Sequence, residues 1–207
     1  MLRAAGCVFA EDEAQLLQAE ASSPAELFEW VGRRVSGEPL EYIVGWAEFC
    51  GLRITVDPGV FVPRRRTELL VSEAALLLQD SLTPSDPSAS AVVVDLCCGS
   101  GAVGVGVVSQ ASVRELHSAD IDSAAVECAR RNLSPLGGYV HQGDLYAALP
   151  SRLKRQAQLI VANAPYVPTS VLPTMPPEAR IYEQQISLNG GPDGLALHRR
   201  VIEEATE

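Results

Sequence analysis

The stretch Val92-Val93-Val94-Asp95-Leu96-Cys97-Cys98-Gly99-Ser100-Gly101-Ala102-Val103-Gly104 decides the fold. An apolar run from Ala91 to Leu96, ending near Asp95, reads as a strand buried on both faces. Gly99, Gly101 and Gly104 then satisfy G-x-G-x-x-G ahead of a helix predicted over Ala102 to Ser109. Such a loop brings a ligand close to backbone N–H groups and to a helix N-terminus. A dinucleotide is one reading, and a Gly-rich turn without a ligand is another. The acidic Asp95, placed before the first glycine at the strand end, favours a third ligand, S-adenosylmethionine. In that D-x-x-x-G-x-G pattern the glycines admit the ligand's amino-acid end, and the carboxylate orients its ammonium group directly or through water.

Outward from this motif, strands and helices alternate. Val113 to Ala119 reads as a second strand, and Asp122 opens a helix through Ala125, Val126, Cys128 and Ala129. Gly138 to Gln142 is a short third strand, Ala157 to Ala162 a fourth, and Asp193 to Glu204 a last helix. That order predicts an α/β fold with a parallel, doubly wound sheet. Upstream the pattern differs. Residues 1 to about 40 read as helical, with Pro24 after Ser22-Ser23 as a helix start. Glu48 to Val56 alternates as a hairpin should and ends at Asp57-Pro58-Gly59. Thr67 caps an amphipathic helix through Leu78, and Ser81 to Ser88 is a turn-rich linker.

Polar residues gather where these strands end. Asp120 closes the second strand, where a carboxylate accepts ribose hydroxyls. Asp122 competes for that role but reads better as a helix N-cap. Asp144, after the third strand, is placed to meet an adenine amino group; the alternative is a turn Asp bonding its own backbone. After the fourth strand comes Asn163-Ala164-Pro165-Tyr166, at the carboxyl edge where such sheets bind ligands. The Asn163 side-chain oxygen and the Ala164 carbonyl can accept both N–H groups of a planar nitrogen. That holds its lone pair in line with a sulfonium methyl, while Tyr166 packs on the substrate plane. The plain alternative is a strand-ending turn.

Composition narrows the classes. The 207 residues are 47% hydrophobic and 20% charged, enough for a packed core. The formal charge of −10 argues against a protein that grips phosphate backbones. No apolar run approaches a membrane span, and the early acidic stretch Glu11-Asp12-Glu13 is unlike a signal peptide. Cys7, Cys50, Cys97, Cys98 and Cys128 are odd in number and lack C-x-x-C spacing, which predicts a reduced, cytoplasmic protein without a metal site. His117, His141 and His198 read as structural. Arg64, Arg65 and Arg66 read either as a solvated face or as contacts to an acidic or backbone-rich substrate.

Four stretches resemble the HemK/PrmC family of protein-(glutamine-N5) methyltransferases, which are class I S-adenosylmethionine enzymes. They are Gly37 to Gly45 with Glu48-Phe49 and Gly51-Leu52, Phe61-Val62-Pro63-Arg64-Arg65-Arg66-Thr67-Glu68-Leu69-Leu70, the glycine loop with Asn163-Ala164-Pro165-Tyr166, and Pro177-Glu178 with Gly190-Gly191-Pro192-Asp193-Gly194-Leu195. Ala164 stands where the family has the first Pro of N-P-P-Y, Arg65 and Arg66 where it has a Pro and commonly an acidic residue, and Cys97 where it has a Gly. The resemblance implies transfer of a methyl group to a glutamine side chain, in the family's best-known case the Gly-Gly-Gln motif of peptide chain release factors. It implies catalysis at Asn163, Ala164, Pro165 and Tyr166, and substrate contacts by Arg64, Thr67, Glu68 and Glu178. It implies a cofactor site of Asp95, Cys97, Gly99, Ser100, Gly101, Asp120, Ile121, Asp144, Leu145 and Asn163. Residues 1–40 would recognise the substrate, 41–66 connect as a β-hairpin, and 67–207 form the methyltransferase domain. A full domain of this class has seven strands, so this chain is expected to lack the last three, leaving a sheet edge that invites self-association. The rivals are a DNA adenine or cytosine N-methyltransferase, which must flip a base, and an inactive cofactor-binding module.

Overall fold

The computed structural model describes residues 1–81 and 91–205; from residue 82 on, the expected turn-rich linker lies outside them. The chain opens with α1 (Ala10–Glu20), α2 (Pro24–Val35) and α3 (Leu40–Val44). The Ser23 hydroxyl accepts the Glu26 N–H at 3.2 Å, and Pro24 takes the first helical position, so α2 starts where the sequence places it. These helices bury Leu2, Ala10, Leu17 and Ile43 against Leu27, Trp30 and Val31. The hairpin follows as β1 (Trp46–Phe49) and β2 (Leu52–Thr55), paired antiparallel from Trp46–Thr55 to Phe49–Leu52.

A 3-10 turn, Arg65–Thr67, leads into α4 (Glu68–Ser81). The helix therefore begins beyond Thr67, whose N–H is tied to the Arg64 carbonyl at 2.8 Å. The alternating region supplies β3 (Ala91–Leu96), α5 (Ala102–Gln110), β4 (Val113–Asp120), α6 (Ser123–Leu133), β5 (Tyr139–Gln142) and β6 (Leu159–Ala162). All three strand pairs are parallel, in the spatial order β5-β4-β3-β6. A Gly-Pro-rich segment with α7 (Pro177–Tyr182) precedes α8 (Ala196–Glu204). The last helix is shorter than expected because Asp193 lies outside it, accepting the Leu195 N–H at 3.0 Å and pairing with Arg199.

Strand alternation sorts β3 between two layers. Ala91 and Val93 join Val71, Ala74 and Leu78 of α4, the valines of α5, and Ala129 and Leu133 of α6. Val94 and Leu96 face the other way, onto Leu145, Tyr146, Leu197 and Val201. The hairpin is clipped to this body by Asn132. Its side chain bonds both the N–H and the carbonyl of Thr55 at 2.9 Å, and donates to the Ser100 carbonyl at 2.8 Å. Among the described residues no helix is long and apolar enough to cross a membrane.

Candidate active site

Register explains why the chemistry collects at one edge. Leu96 lies opposite Ala119 on one side and Ala162 on the other, and Asp120 lies opposite Gln142. Cys97, Asn163 and Gly143 therefore leave their strands at nearly one level. The residues beyond them line a cleft of about 360 Å³, within the common range for small-molecule sites. Cys97, Gly99, Ser100, Asp120, Ile121, Asp144 and Leu145 line it together with Asn163, Ala164, Pro165 and Tyr166.

The glycine loop is held from two sides. Gly99 and Gly101 have φ of +55° and +80°, values that favour glycine. A Cβ on Gly101 would lie 2.8 Å from Leu133 Cδ1, whereas one on Gly99 would meet nothing within 4 Å. Gly101 is thus required for packing, and Gly99 leaves open space where a ligand can approach. Asp120 accepts the Gly99 N–H at 2.8 Å and the Asp122 N–H at 3.0 Å, and burial raises its pKa. Asp122 caps α6 through the Ala124 N–H at 3.2 Å. Asp95 is not on the cleft wall. Its place in the strand alternation turns it toward α5, where it accepts the Gly104 N–H at 3.1 Å and is 1% exposed. Its other oxygen is buried without a partner, and burial lifts its pKa to about 7. Cys97 also has positive φ, and burial beside Asp120 pushes its thiol up to about 12, so it stays protonated.

A different device holds the tetrapeptide. Val167 donates to the Leu188 carbonyl at 3.0 Å and accepts from Gly190 at 2.8 Å. A Cβ on Gly190 would lie 2.7 Å from Tyr166 Cα and 2.8 Å from the Pro165 carbonyl oxygen, and one on Gly194 would collide with the Tyr166 carbonyl. The Gly-Gly-Pro-Asp-Gly segment is therefore a backbone cradle for Pro165 and Tyr166. Ala164 is buried, and the Asn163 side chain has no hydrogen-bond partner among the described residues.

The remaining residues expected at the site divide. Arg64 lines the cleft, and its guanidinium pairs with buried Glu183, which also accepts the Val62 N–H. Thr67 lines the cleft as well. Glu68 lies off the cleft lining and accepts the Cys50 N–H at 3.0 Å. Glu178 is also off the lining, 3.2 Å from Arg34 of α2. Arg34 is held by Glu13 and the Glu38 carbonyl as well, so this contact ties α7 to the N-terminal helices. Sequence reasoning missed Arg200, which reaches from α8 to hold both Asp144 oxygens at 3.0 Å. It also missed Glu183 and Asn132. Pairings 56, 119 and 77 residues apart leave no local signal.

The parallel sheet and its carboxyl-edge cleft define a class I S-adenosylmethionine-dependent methyltransferase fold. The profile of the methyltransferase small domain family matches residues 51–174, and the chain belongs to that family. A release factor glutamine methyltransferase of Streptomyces coelicolor is 36% identical, over 87% of this chain and 62% of that protein. A 4-amino-L-phenylalanine/4-methylamino-L-phenylalanine methyltransferase of Streptomyces pristinaespiralis is 34% identical, over 85% of this chain and 59% of its own length. The chain thus spans about three-fifths of the length of these relatives. The catalytic domain of hMettl16, solved with the MAT2A 3'UTR hairpin 6, shares the fold with a TM-score of 0.52 at 11% identity, covering 73% of this chain and 56% of that one. The resemblance drawn from the motifs to the glutamine methyltransferases is borne out by these relatives.

Proposed function

We propose that the protein transfers a methyl group from S-adenosylmethionine to the side-chain amide nitrogen of a glutamine in a protein, the Gly-Gly-Gln motif of a peptide chain release factor, in the cytoplasm. The observation that carries this reading is an unpartnered Asn163 amide on the same cleft wall as the glycine loop and Asp120. The cleft suits the cofactor. Gly99 offers an open backbone, and Asp120 keeps free lone pairs for ribose hydroxyls. S-adenosylmethionine supplies an electrophilic sulfonium methyl. Asn163 Oδ1 and the Ala164 carbonyl accept the two amide N–H groups and keep the nitrogen lone pair on the methyl's line of approach. Tyr166 covers the amide plane. The S–CH3 bond breaks as the N–CH3 bond forms, and the nitrogen then loses its proton to water; no strong base is needed because methylation acidifies that nitrogen.

Titration of the chain with S-adenosylhomocysteine tests the first half, with micromolar binding expected and lost in Asp120→Ala. Mass spectrometry of a Gly-Gly-Gln peptide after incubation with S-adenosylmethionine tests the second. A folded chain that binds neither would sink the proposal. The Streptomyces pristinaespiralis relative supports a second reading, an aromatic amine as acceptor, since Asn163 and Tyr166 suit any planar nitrogen. Methylation of 4-amino-L-phenylalanine in preference to the peptide would select it.

A further inference from the structure

Of the two arginines that replace a proline and an acidic residue in the family's motif, Arg66 lines the cleft, and both differ from Arg64 in their pairing. Arg64 is neutralised by Glu183. Arg65 and Arg66 are exposed, and among the described residues neither has a carboxylate at ion-pair distance. Most arginines among the described residues are paired, and the others without a carboxylate at that distance, Arg130, Arg155 and Arg180, do not line the cleft. Arg66 is not idle. It lines the cleft, donates to the Tyr166 hydroxyl, and its guanidinium carbon stands 5.5 Å from the centre of the Tyr166 ring. Tyr166 is 43% exposed, so it is a cleft wall that a substrate can touch. One hydrogen bond to a phenol leaves most of the guanidinium's five donors unused.

We infer that Arg66, seconded by Arg65, selects substrates bearing a carboxylate close to the nitrogen that is methylated; with the glutamine reading above, on which this rests, that is an acidic residue next to the glutamine. A carboxylate in the cleft can take a forked pair of N–H bonds from Arg66. Arg66 would keep its contact with Tyr166 meanwhile, so the anchor and the ring covering the amide form one unit. The acidic remainder of the protein repels such a substrate elsewhere, which confines its attraction to the cleft. Arg66 acts on choice of substrate and does not touch the reacting nitrogen.

The test uses the full chain saturated with S-adenosylhomocysteine and three fluorescent peptides that carry Gly-Gly-Gln followed by Asp, Ser or Lys. Anisotropy titration is expected to rank them Asp, Ser, Lys, with about fivefold between Asp and Ser, shrinking in high salt. Arg66→Glu should reverse the order, with a cooperative thermal transition like that of the wild type showing that the variant is folded. Equal binding of all three peptides by the wild-type chain, or an Asp preference that survives in Arg66→Glu, overturns the inference and leaves the glutamine reading standing. Binding of none of the peptides overturns that reading, and the inference with it. Tighter binding of a single-stranded oligoribonucleotide than of any peptide overturns it too, because the arginines would then be serving phosphates.

Discussion

The glycine loop after β3 and the tetrapeptide after β6 leave neighbouring parallel strands at the same level, yet different parts of the chain hold them. The first is braced by side chains of its own and the neighbouring elements: Asp120 at the end of β4, Leu133 of α6 under Gly101, and Asp95 of β3 accepting the Gly104 N–H. The second is braced by a segment more than twenty residues downstream, where Gly190 and Gly194 close on the Pro165 and Tyr166 backbone. One half of the cleft is thus held by side chains of the sheet and its helices, and the other by close backbone contact with a glycine segment. Damage to the second should spare cofactor binding, and damage to the first should not.

The largest break expected is in Asn163→Ala. With one of two acceptors for the amide removed, the transfer rate should fall about 100-fold, the scale of losing one preorganised electrostatic contact. S-adenosylhomocysteine affinity should change far less, as calorimetry would show. Gly190→Ala comes next. Its Cβ meets backbone atoms that cannot step aside, an overpacking cost of about 1–3 kcal/mol. Thermal unfolding should report a Tm lower by about 5 °C, with the glycine loop still binding ligand. Under that loop, Asp95 gives a smaller effect that depends on pH. Its folded pKa of about 7 exceeds the ordinary 3.8, so between those values the folded chain holds a proton that the unfolded chain has released. Stability contributed by this site therefore falls as pH rises from about 4 to about 7. Asp95→Asn cannot ionise; its Tm should match the wild type near the acid end of that window and exceed it by a few degrees above the window. The smallest effect is expected of Arg200→Met. Releasing the exposed Asp144 pair should weaken S-adenosylhomocysteine about threefold, in line with the worth of exposed ion pairs. If it weakened binding as much as Asp120→Ala, the first half of the cleft would depend on α8 as much as on β4.

The same contrast governs what could be read from sequence. The glycine loop is legible because it depends on local φ values and a strand-to-helix turn, both written into consecutive residues. Asn163 to Tyr166 is legible as a motif, but the reason it stays in place is not. That reason lies in close approaches to Gly190 and Gly194, which sequence alone shows only as a turn. Asp95 was legible as a strand-end carboxylate, while its aim toward Gly104 follows from alternation along β3. Glu68 and Glu178, which the resemblance makes substrate contacts, also bond the Cys50 N–H and Arg34, partners that no motif shows. Both outcomes depend on where distant segments meet.

The clasp between α8 and the turn that starts at Leu145 has a consequence for the newborn chain. Arg200 grips Asp144, and the Tyr146 hydroxyl donates to the Val201 carbonyl at 2.9 Å. A polypeptide emerging from a ribosome at about 5–20 residues per second completes the glycine loop several seconds before α8 exists. During that interval Val94, Leu96 and Ala119 present an uncovered apolar sheet face, the kind of surface that chaperones hold and that other nascent chains stick to. Until α8 is made, the side of the cleft that Leu197 and Arg200 line stays open.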